Sequence, residues 1–490
     1  MRDLRDYLEF LEVRGELIRV EEELSPELEI PAFLRRAMYS KRGAVLFERV
    51  KGHPEWRVAG NLFTGVETLR EALGVGKLEE IGERPLKLIE SLPLSLSEKF
   101  SSLGRLRDFS KYLPKLTRRA DFTRNVVEDE PLNFIPAFKT WPKDASRYLT
   151  YPLVCFSDPR GINSISVYRV MLLDGERGVI HWQIHKRGSQ AWKDYLERND
   201  GKMPVAIVIG SDIGTLLTAV SPVPYPMDKL LFAGFVRGSG LEIYRLPNGV
   251  LVPANAEAVI EGYVKVDELS EEGPFGDHFG FYDKPSERNE LYPVFHAERL
   301  YYRDNPIYYG SVVGKPPLED AVIGKAIERI FLPMMRLVLP EVVDVNFPEY
   351  GVFQGVAIVS IKKRYPGQGK KVLNALWGTG QMALTKVIVV VSEDINPHDI
   401  NQVIWAIASF VNPERDVLIV PNAHTDALDP AVPRPPLGSK LGIDATRKFP
   451  EEMGGRKVEE VKEDPEVIAR LKDLFQKYLG GGDGLCPGGG

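Results

Sequence analysis

Cysteine is nearly missing from this chain: Cys155 and Cys486 are the only two among 490 residues. Far apart in sequence, they form neither a Cys-x-x-Cys motif nor a disulfide framework, so a reducing, cytoplasmic setting is expected. Long hydrophobic runs are also lacking. The longest nearly apolar stretch, Val403–Val411, falls well short of the ~20 residues that cross a bilayer, so membrane contact is expected to be peripheral at most. The N-terminus, MRDLRDYLEFLEVRGEL, is charged throughout and has no apolar signal-peptide core. There is no excess of basic charge: 63 Lys and Arg against 69 Asp and Glu leave a net charge of −6. A protein that neutralises phosphate backbones needs a basic face, so nucleic acid is not an expected partner. No P-loop, no G-x-G-x-x-G after a strand, no His-Glu-x-x-His, no Ser-His-Asp order and no repeat of 20–50 residues occurs.

What is present is an ordinary globular mix, 43% hydrophobic and 27% charged, with 44 Gly and 37 Pro. That turn-rich composition suits an α/β or barrel protein and disfavours a helical bundle. At about 150 residues per domain, the length allows two to four domains. Residues 1–120 alternate helix and strand. Leu4, Tyr7, Leu8 and Leu11 repeat at helical spacing, Leu17–Val20, Ala44–Val50 and Trp56–Leu62 read as strands, and Ile30–Met38 and Val66–Leu73 as helices. The stretch Leu92–Arg119 reads as connecting helices and loops. Residues 121–317 are dense in short strands: Ile165–Leu173, Val179–Ile184, Val205–Ile209, Leu241–Arg245, Ala258–Val266, Tyr292–Tyr302 and Pro306–Val313. Such density suggests a barrel or curled sheet. Residues 318–338 form a long connecting helix, with Pro333 a kink point. The β/α alternation returns over 339–455, with helices Gly369–Leu376 and Ile400–Phe410, and a final helix, Pro465–Leu479, leads to a Gly-rich tail within 456–490. The fold class read from this pattern is α/β (α+β).

Four segments carry candidate chemistry. In EEGPFGDHFGFY, Glu272 and Asp277 bracket a Gly-Pro-Phe-Gly turn. Glycine and proline set backbone angles that can aim both carboxylates at one cavity, and crowded carboxylates raise one another's pKa towards that of a proton donor. The alternative is a solvated hairpin with two ordinary acids. In GINSISVYR, the small polar Asn163, Ser164 and Ser166 can hold a phosphate or metal ion. Alternation puts Val167 and Arg169 on one face and Ser166 and Tyr168 on the other. In VIHWQIHKRGSQAW, Lys186, Arg187 and Gly188 form a plausible phosphate contact, while His181 and His185 are too isolated to make a metal site by themselves. In SPVPYPMDKLLFAGFVRG, a rigid proline loop from Ser221 and Pro222 leads into a helix starting near Met227, whose amides can face an anion. Each also reads as a charged turn, a half-buried strand or a packed helix.

These segments occur in one order with LPEVVDVNFPEYGVF, VSIKKRYPGQGKKV and LGSKLGIDATRKFP. Together they resemble the UbiD family of prenylated-FMN-dependent carboxy-lyases over residues 1 to about 455, most closely its menaquinone branch. The resemblance implies an N-terminal α/β region, a split β-barrel of the flavin-reductase type holding the cofactor, a connecting helix and a C-terminal α/β domain making oligomer contacts. It implies a homo-oligomer, dimer to hexamer, and a separate flavin prenyltransferase supplying prenylated FMN. It implies decarboxylation of an aromatic quinone precursor, 1,4-dihydroxy-6-naphthoate or its prenylated form, with 3-polyprenyl-4-hydroxybenzoate or a catalytically silent subunit as the alternatives. Carried over by motif, Arg169, Glu272 and Asp277 form the proton-transfer network. Asn163 or Ser164, Ser166, Val167, Tyr168, Arg169, His185, Lys186, Arg187, Gly188, Ser221, Pro222, Lys229 and Lys386 bind the cofactor. Asn163, His185 and Asp228 hold Mn2+ or Mg2+, with K+ a further candidate. One departure is plain: Lys229 stands where the family has a metal-binding Glu. Either Asp228 supplies that oxygen or the Lys229 ammonium replaces the metal, because a charged lysine ligates no cation.

Overall fold

The computed structural model describes residues 1–90, 109–198 and 200–479. The Gly-rich tail and most of the expected connecting stretch Leu92–Arg119 lie outside them. The chain forms two units. The first takes Met1–Met334, Glu349–Phe353 and Asp426–Pro436. The second takes Met335–Pro348, Gln354–Thr425 and the chain from Leu437. No described helix is long and apolar enough to cross a membrane.

The first unit begins with helix Leu4–Val13, capped by Asp3, whose side chain accepts from the Asp6 amide, and it buries Leu4, Tyr7, Leu8 and Leu11. A four-stranded sheet follows: Leu17–Val20, Ala44–Phe47, Arg57–Gly60 and, from far along the chain, Ile307–Tyr309. That last strand pairs parallel to Arg57–Gly60, so the N-terminal sheet is completed by the end of the strand-rich region.

The larger sheet has nine strands. Its order is Tyr148–Leu149, Val170–Leu172, Arg177–Ile180, Tyr292–Tyr302, Ala258–Ser270, Lys202–Ile209, Leu153–Ser157 and Asn163–Val167, with Asn125–Val127 added on Tyr292–Tyr302. Asn163–Val167 stands at one end of this path and Val170–Leu172 beside the other end. Yet only Tyr168 and Arg169 separate them in sequence. Three residue steps span at most about 11 Å, so the sheet must curl until its two ends nearly meet. The result is a split barrel with its seam at Tyr168–Arg169. Sequence periodicity predicts one unbroken strand, Ile165–Leu173. The structure breaks it at Tyr168–Arg169 because the chain there crosses from one end of the sheet to the other. Register shifts at Glu261/Gly262 and Val264/Leu269 in the long strand supply the local twist that such curling needs.

Both faces of this sheet are covered. Along Lys202–Ile209, Ala206 and Val208 pack into one apolar cluster and Val205, Ile207 and Ile209 into another. This two-sided burial is why the strand reads as a continuous apolar run. Helices Ile213–Val220 and Lys229–Arg237, capped by Asp212 and Asp228, pack on the first cluster. Helices absent from the sequence reading also appear, among them Glu79–Glu90, Ile213–Val220 and Arg187–Glu197.

Helix Glu319–Val338 carries the chain into the second unit and runs on through Pro333. There a five-stranded sheet has the order Val342–Asn346, Val356–Ile361, Val387–Ser392, Leu437–Ala445, Val417–His424, with its inner pairs parallel and its outer pairs antiparallel. Helix Ile400–Phe410 buries Val403 and Ala406 but leaves Ile400, Ile404 and Trp405 exposed.

The close pairing of Ala258–Ser270 with Tyr292–Tyr302 depends on Gly262. A Cβ there would lie 2.0 Å from the His296 carbonyl oxygen and 2.8 Å from the Phe295 ring. The Gly262→Ala variant is expected to lose about 1–3 kcal/mol in denaturant unfolding, the usual cost of overpacking. Gly65→Ala, where nothing lies nearer than Thr68 Oγ1 at 3.9 Å, should stay close to wild type. Equal midpoints for the two variants would refute this packing.

Candidate functional site

Arg169 leaves the sheet at the barrel seam and turns into a buried cluster of acids. Its Nε donates to Glu272 Oε1 at 2.9 Å, and its Nη2 donates to Glu272 Oε2 at 2.7 Å and to Asp283 Oδ2 at 2.6 Å. His181 Nδ1 lies 3.0 Å from Glu272 Oε2. Arg288 Nη2 holds the other oxygen of Asp283 at 2.9 Å. The Phe275 ring stacks under the guanidinium at 4.5 Å, and Tyr292 packs on the His181 ring at 4.5 Å between centroids.

A small hairpin sets this geometry. Phe275–Gly276 pairs with Tyr282–Asp283, with Phe275 opposite Asp283. The two turn glycines act differently. Gly273 takes φ +86°, whereas Gly276 is needed for space, since a Cβ there would lie 2.2 Å from Trp141 Cδ1. The expectation that both free the backbone angles therefore holds for Gly273 alone. The Gly276 amide donates to Asp144 Oδ1 at 2.9 Å, anchoring the hairpin.

The three acids of this segment differ in state. Burial alone would raise the Glu272 carboxyl, which has 0% exposure, but the charges of Arg169 and then His181 hold it well below the usual carboxylate range. Asp283 is likewise held down by Arg169 against the effect of burial. Asp277 is 3% exposed, and its side chain accepts from the Phe279 amide at 2.8 Å. Among the described residues no cation pairs with it, and burial pushes it up to about 7 despite the field of Arg169. Of the expected trio, Arg169 and Glu272 are bonded to each other, while the guanidinium's second carboxylate is Asp283 rather than Asp277. Asp283 and His181 as a partner of Glu272 escaped the sequence reading. The available signal was a third acid in DHFGFYDKP, which the hairpin register returns to Phe275.

A second cluster lies on the other side of the seam. Lys229, 6% exposed, donates from Nζ to Ser166 Oγ at 2.9 Å and to the Ala219 carbonyl at 3.1 Å. Burial, then the charges of Arg187 and Lys186, push its ammonium well below the ordinary lysine range. Arg187 donates to the carbonyls of Met227 and Val223, both at 3.1 Å. Among the described residues, Lys186, Arg187 and Lys229 make no ion pair. Lys186 is the N-cap of helix Arg187–Glu197, so the segment read as a charged turn begins a helix. The Gly188 amide donates to the Tyr168 hydroxyl at 3.1 Å. Ser164 Oγ lies 3.4 Å from Ser166 Oγ, and the Ser221 hydroxyl is used within its own helix, on Leu217 O at 2.8 Å. Val167 ends its strand, Pro222 follows Ser221 in the proline loop, and His185 stands half-buried before the helix. Lys386 precedes strand Val387–Ser392 in the second unit.

Three family models match: the N-terminal, Rift-related and C-terminal domains of 3-octaprenyl-4-hydroxybenzoate carboxy-lyase, over residues 8–84, 115–316 and 321–445. The chain belongs to the UbiD family. An uncharacterized protein of Aeropyrum pernix is 59% identical over 482 residues, 97% of this chain and 98% of the relative. Among solved structures, the closed form of vanillic acid decarboxylase from Sedimentibacter hydroxybenzoicus is 28% identical with a TM-score of 0.83, covering 97% of this chain and 99% of its own. The UbiD-class enzyme HmfF of Pelotomaculum thermopropionicum in complex with FMN is 26% identical with a TM-score of 0.76, covering 97% and 100%. An evolved dimeric form of HmfF in complex with prFMN is 25% identical with a TM-score of 0.75, covering 96% and 98%. The chain is thus a UbiD-type decarboxylase.

The residues present fit a flavin phosphate. Lys186, Arg187 and Lys229 make no ion pair among the described residues and lie near enough for the charges of the first two to lower the third, and the buried Trp182 Nε1, beside Gly188, has no protein partner among them. They do not fit the expected divalent metal. Asp228 Oδ1 already accepts from the Leu230 and Leu231 amides, at 2.8 and 3.2 Å, as a helix cap. Its Oδ2 accepts from Asn163 N and Nδ2 at 3.0 and 2.8 Å, and Asn163 Oδ1 accepts from Ser157 Oγ at 2.7 Å. A hard cation needs free oxygens converging on one point. His181, Glu272 and Asp283 do offer atoms within 4.8 Å of one another, but the Arg169 guanidinium already bonds both carboxylates there and serves as their cation.

A buried acid with a raised pKa makes the folded state bind more protons than the unfolded state, so stability falls as pH rises across the gap. For Asp277 the gap runs from 3.8 to about 7. The Asp277→Asn variant should lack that component. Relative to wild type it gains stability from pH 5 to pH 8, by up to about 3 kcal/mol, in urea unfolding at each pH. A difference that does not change with pH would place the Asp277 proton elsewhere.

Proposed function

We propose that this chain is a prenylated-FMN-dependent decarboxylase of an acid whose carboxylate sits on an sp2 carbon. Its first candidate substrate is the quinone precursor 1,4-dihydroxy-6-naphthoate or its prenylated form. The observation that supports it is one buried guanidinium holding Glu272 and Asp283 ionised beside Asp277, which keeps its proton near neutral pH. The family models' 3-octaprenyl-4-hydroxybenzoate carboxy-lyase description favours a second substrate, 3-polyprenyl-4-hydroxybenzoate.

Loss of CO2 leaves an electron pair in an sp2 orbital with no conjugation to spread it. Prenylated FMN, when bound, supplies the electron sink for that pair. The protein contributes the rest. Lys186, Arg187 and Lys229 hold the cofactor phosphate. Glu272 and Asp283 fix the Arg169 guanidinium, so that its charge is balanced before substrate arrives. Asp277 gives its proton to the carbon that has lost CO2 and recovers one from water, so that acid becomes hydrocarbon plus CO2. Apolar surroundings favour departure as neutral CO2 over retention of a carboxylate. No step passes through a metal ion.

The exposed Ile400, Ile404 and Trp405 on one helix and the exposed Ile419 on an edge strand support a homo-oligomer formed through the second unit, because open strand edges and apolar faces seek partners. The paired change Ile404→Glu and Trp405→Glu should lower the sedimenting mass. An unchanged mass would assign the contact to another face.

The Glu272→Gln variant unbalances Arg169, whose free charge then ionises Asp277. Reconstituted with prenylated FMN, it should keep the cofactor's visible spectrum and lose at least about 100-fold in turnover, the scale of a general acid. Turnover should be assayed on the naphthoate, on the polyprenyl hydroxybenzoate and on a non-aromatic α,β-unsaturated acid. Full activity of the Gln variant would end the proton-transfer assignment. Activity on the benzoate alone would reverse the order of substrates.

A further inference from the structure

We propose that this chain holds the phosphate of its flavin without a divalent cation, the Lys229 ammonium standing where a metal would otherwise neutralise it. The proposal rests on the reading above that a flavin mononucleotide-type cofactor binds in the first unit.

Three observations carry it. The oxygens that a metal would need are spent: Asp228 accepts four N–H groups, and Asn163 Oδ1 is taken by Ser157. Lys229 is buried with only neutral oxygens as partners, Ser166 Oγ and Ala219 O. A buried cation without a counter-charge is costly, so a site that keeps one is arranged for an incoming anion. The surroundings add positive potential. Helix Arg187–Glu197 begins here with no capping side chain and no acid in its first turn, and Arg187 and Lys186 stand beside Lys229. A dianionic phosphate monoester would meet three basic side chains, whose protonation it favours, and one uncapped helix N-terminus. A divalent ion placed among them would be repelled.

The asymmetry between a lysine and a metal is testable because a lysine cannot be chelated away. Apo-protein would be titrated with FMN and with riboflavin, following flavin fluorescence, in EDTA and again in excess Mn2+, with elemental analysis of the FMN complex. FMN affinity is expected to agree between EDTA and Mn2+ to within about twofold, to exceed that for riboflavin, and to leave no stoichiometric Mn or Mg. Lys229→Met should weaken FMN by roughly ten- to a hundredfold, the loss of one charge-assisted contact, and leave riboflavin unchanged. Since that change also removes an unpaired buried charge, the apo variant should melt at or above the wild-type temperature. FMN binding that collapses in EDTA and returns with Mn2+, an equal effect of the variant on both flavins, or absence of saturable FMN binding would each overturn the proposal. The wild-type chelator titration decides the matter even if the variant does not fold. A chain that passes these tests yet decarboxylates no acid would overturn the decarboxylase reading and leave this one standing.

Discussion

The site depends on one ion cluster, Arg169 between Glu272 and Asp283, with Arg288 on the outer oxygen of Asp283. Two carboxylates buried without a cation would take up protons, because water is the only other medium that stabilises them and it is excluded here. A single arginine is geometrically suited to hold both, since its planar fork presents parallel N–H groups to Glu272 and a further contact to Asp283. The consequence reaches Asp277. With Arg169 spent on two partners, its residual field is too weak to ionise a third buried acid. Three acids within twelve residues of hairpin thus divide into two charge holders and one proton holder. The division comes from register and burial, not from residue type.

The barrel seam places that arginine. Each end of the curled sheet fixes one flank of Tyr168–Arg169, so the guanidinium is aimed by strands on both sides rather than by a loop. The same two residues separate the site's two side-chain clusters. Ser166, on one side, receives the Lys229 ammonium, and Arg169, on the other, receives the acids. Three residue steps, about 11 Å at most, connect the residue that receives the Lys229 ammonium to the one that receives the acids. Curling the sheet also explains why interior strands carry apolar side chains on both faces, which in turn makes them easy to recognise in sequence.

Legibility in the sequence followed the range of the interactions. Tyr292–Tyr302, Ile400–Phe410 and Pro465–Leu479 are specified by local period and punctuation, and their bounds were readable to the residue. Helix Arg187–Glu197 was not, because its start, Lys-Arg-Gly, lacks a capping side chain and resembles a turn. Ile307–Tyr309 shows only a short apolar run, and nothing local reveals that it closes a sheet begun at residue 17. The same limit hid Asp283: the turn was visible, but the register that returns this acid to Arg169 exists only once the hairpin forms. Gly276 illustrates the reverse case, a glycine whose presence was noticed and whose reason, the Trp141 ring, could not be.

The charge at position 229 sets the electrostatic design of its surroundings. A carboxylate at that position would add negative charge to a site meant for phosphate and would require a divalent ion to reverse it. A lysine supplies the positive charge covalently, at the cost of a buried ammonium whenever the pocket is empty. Asp228, next in sequence, is then free to cap its helix and to anchor Asn163, tying the start of strand Asn163–Val167 to the helix that presents Lys229. Asp228 and Asn163 thus join two elements of the pocket by hydrogen bonds, which fixes the loop geometry without a coordination bond.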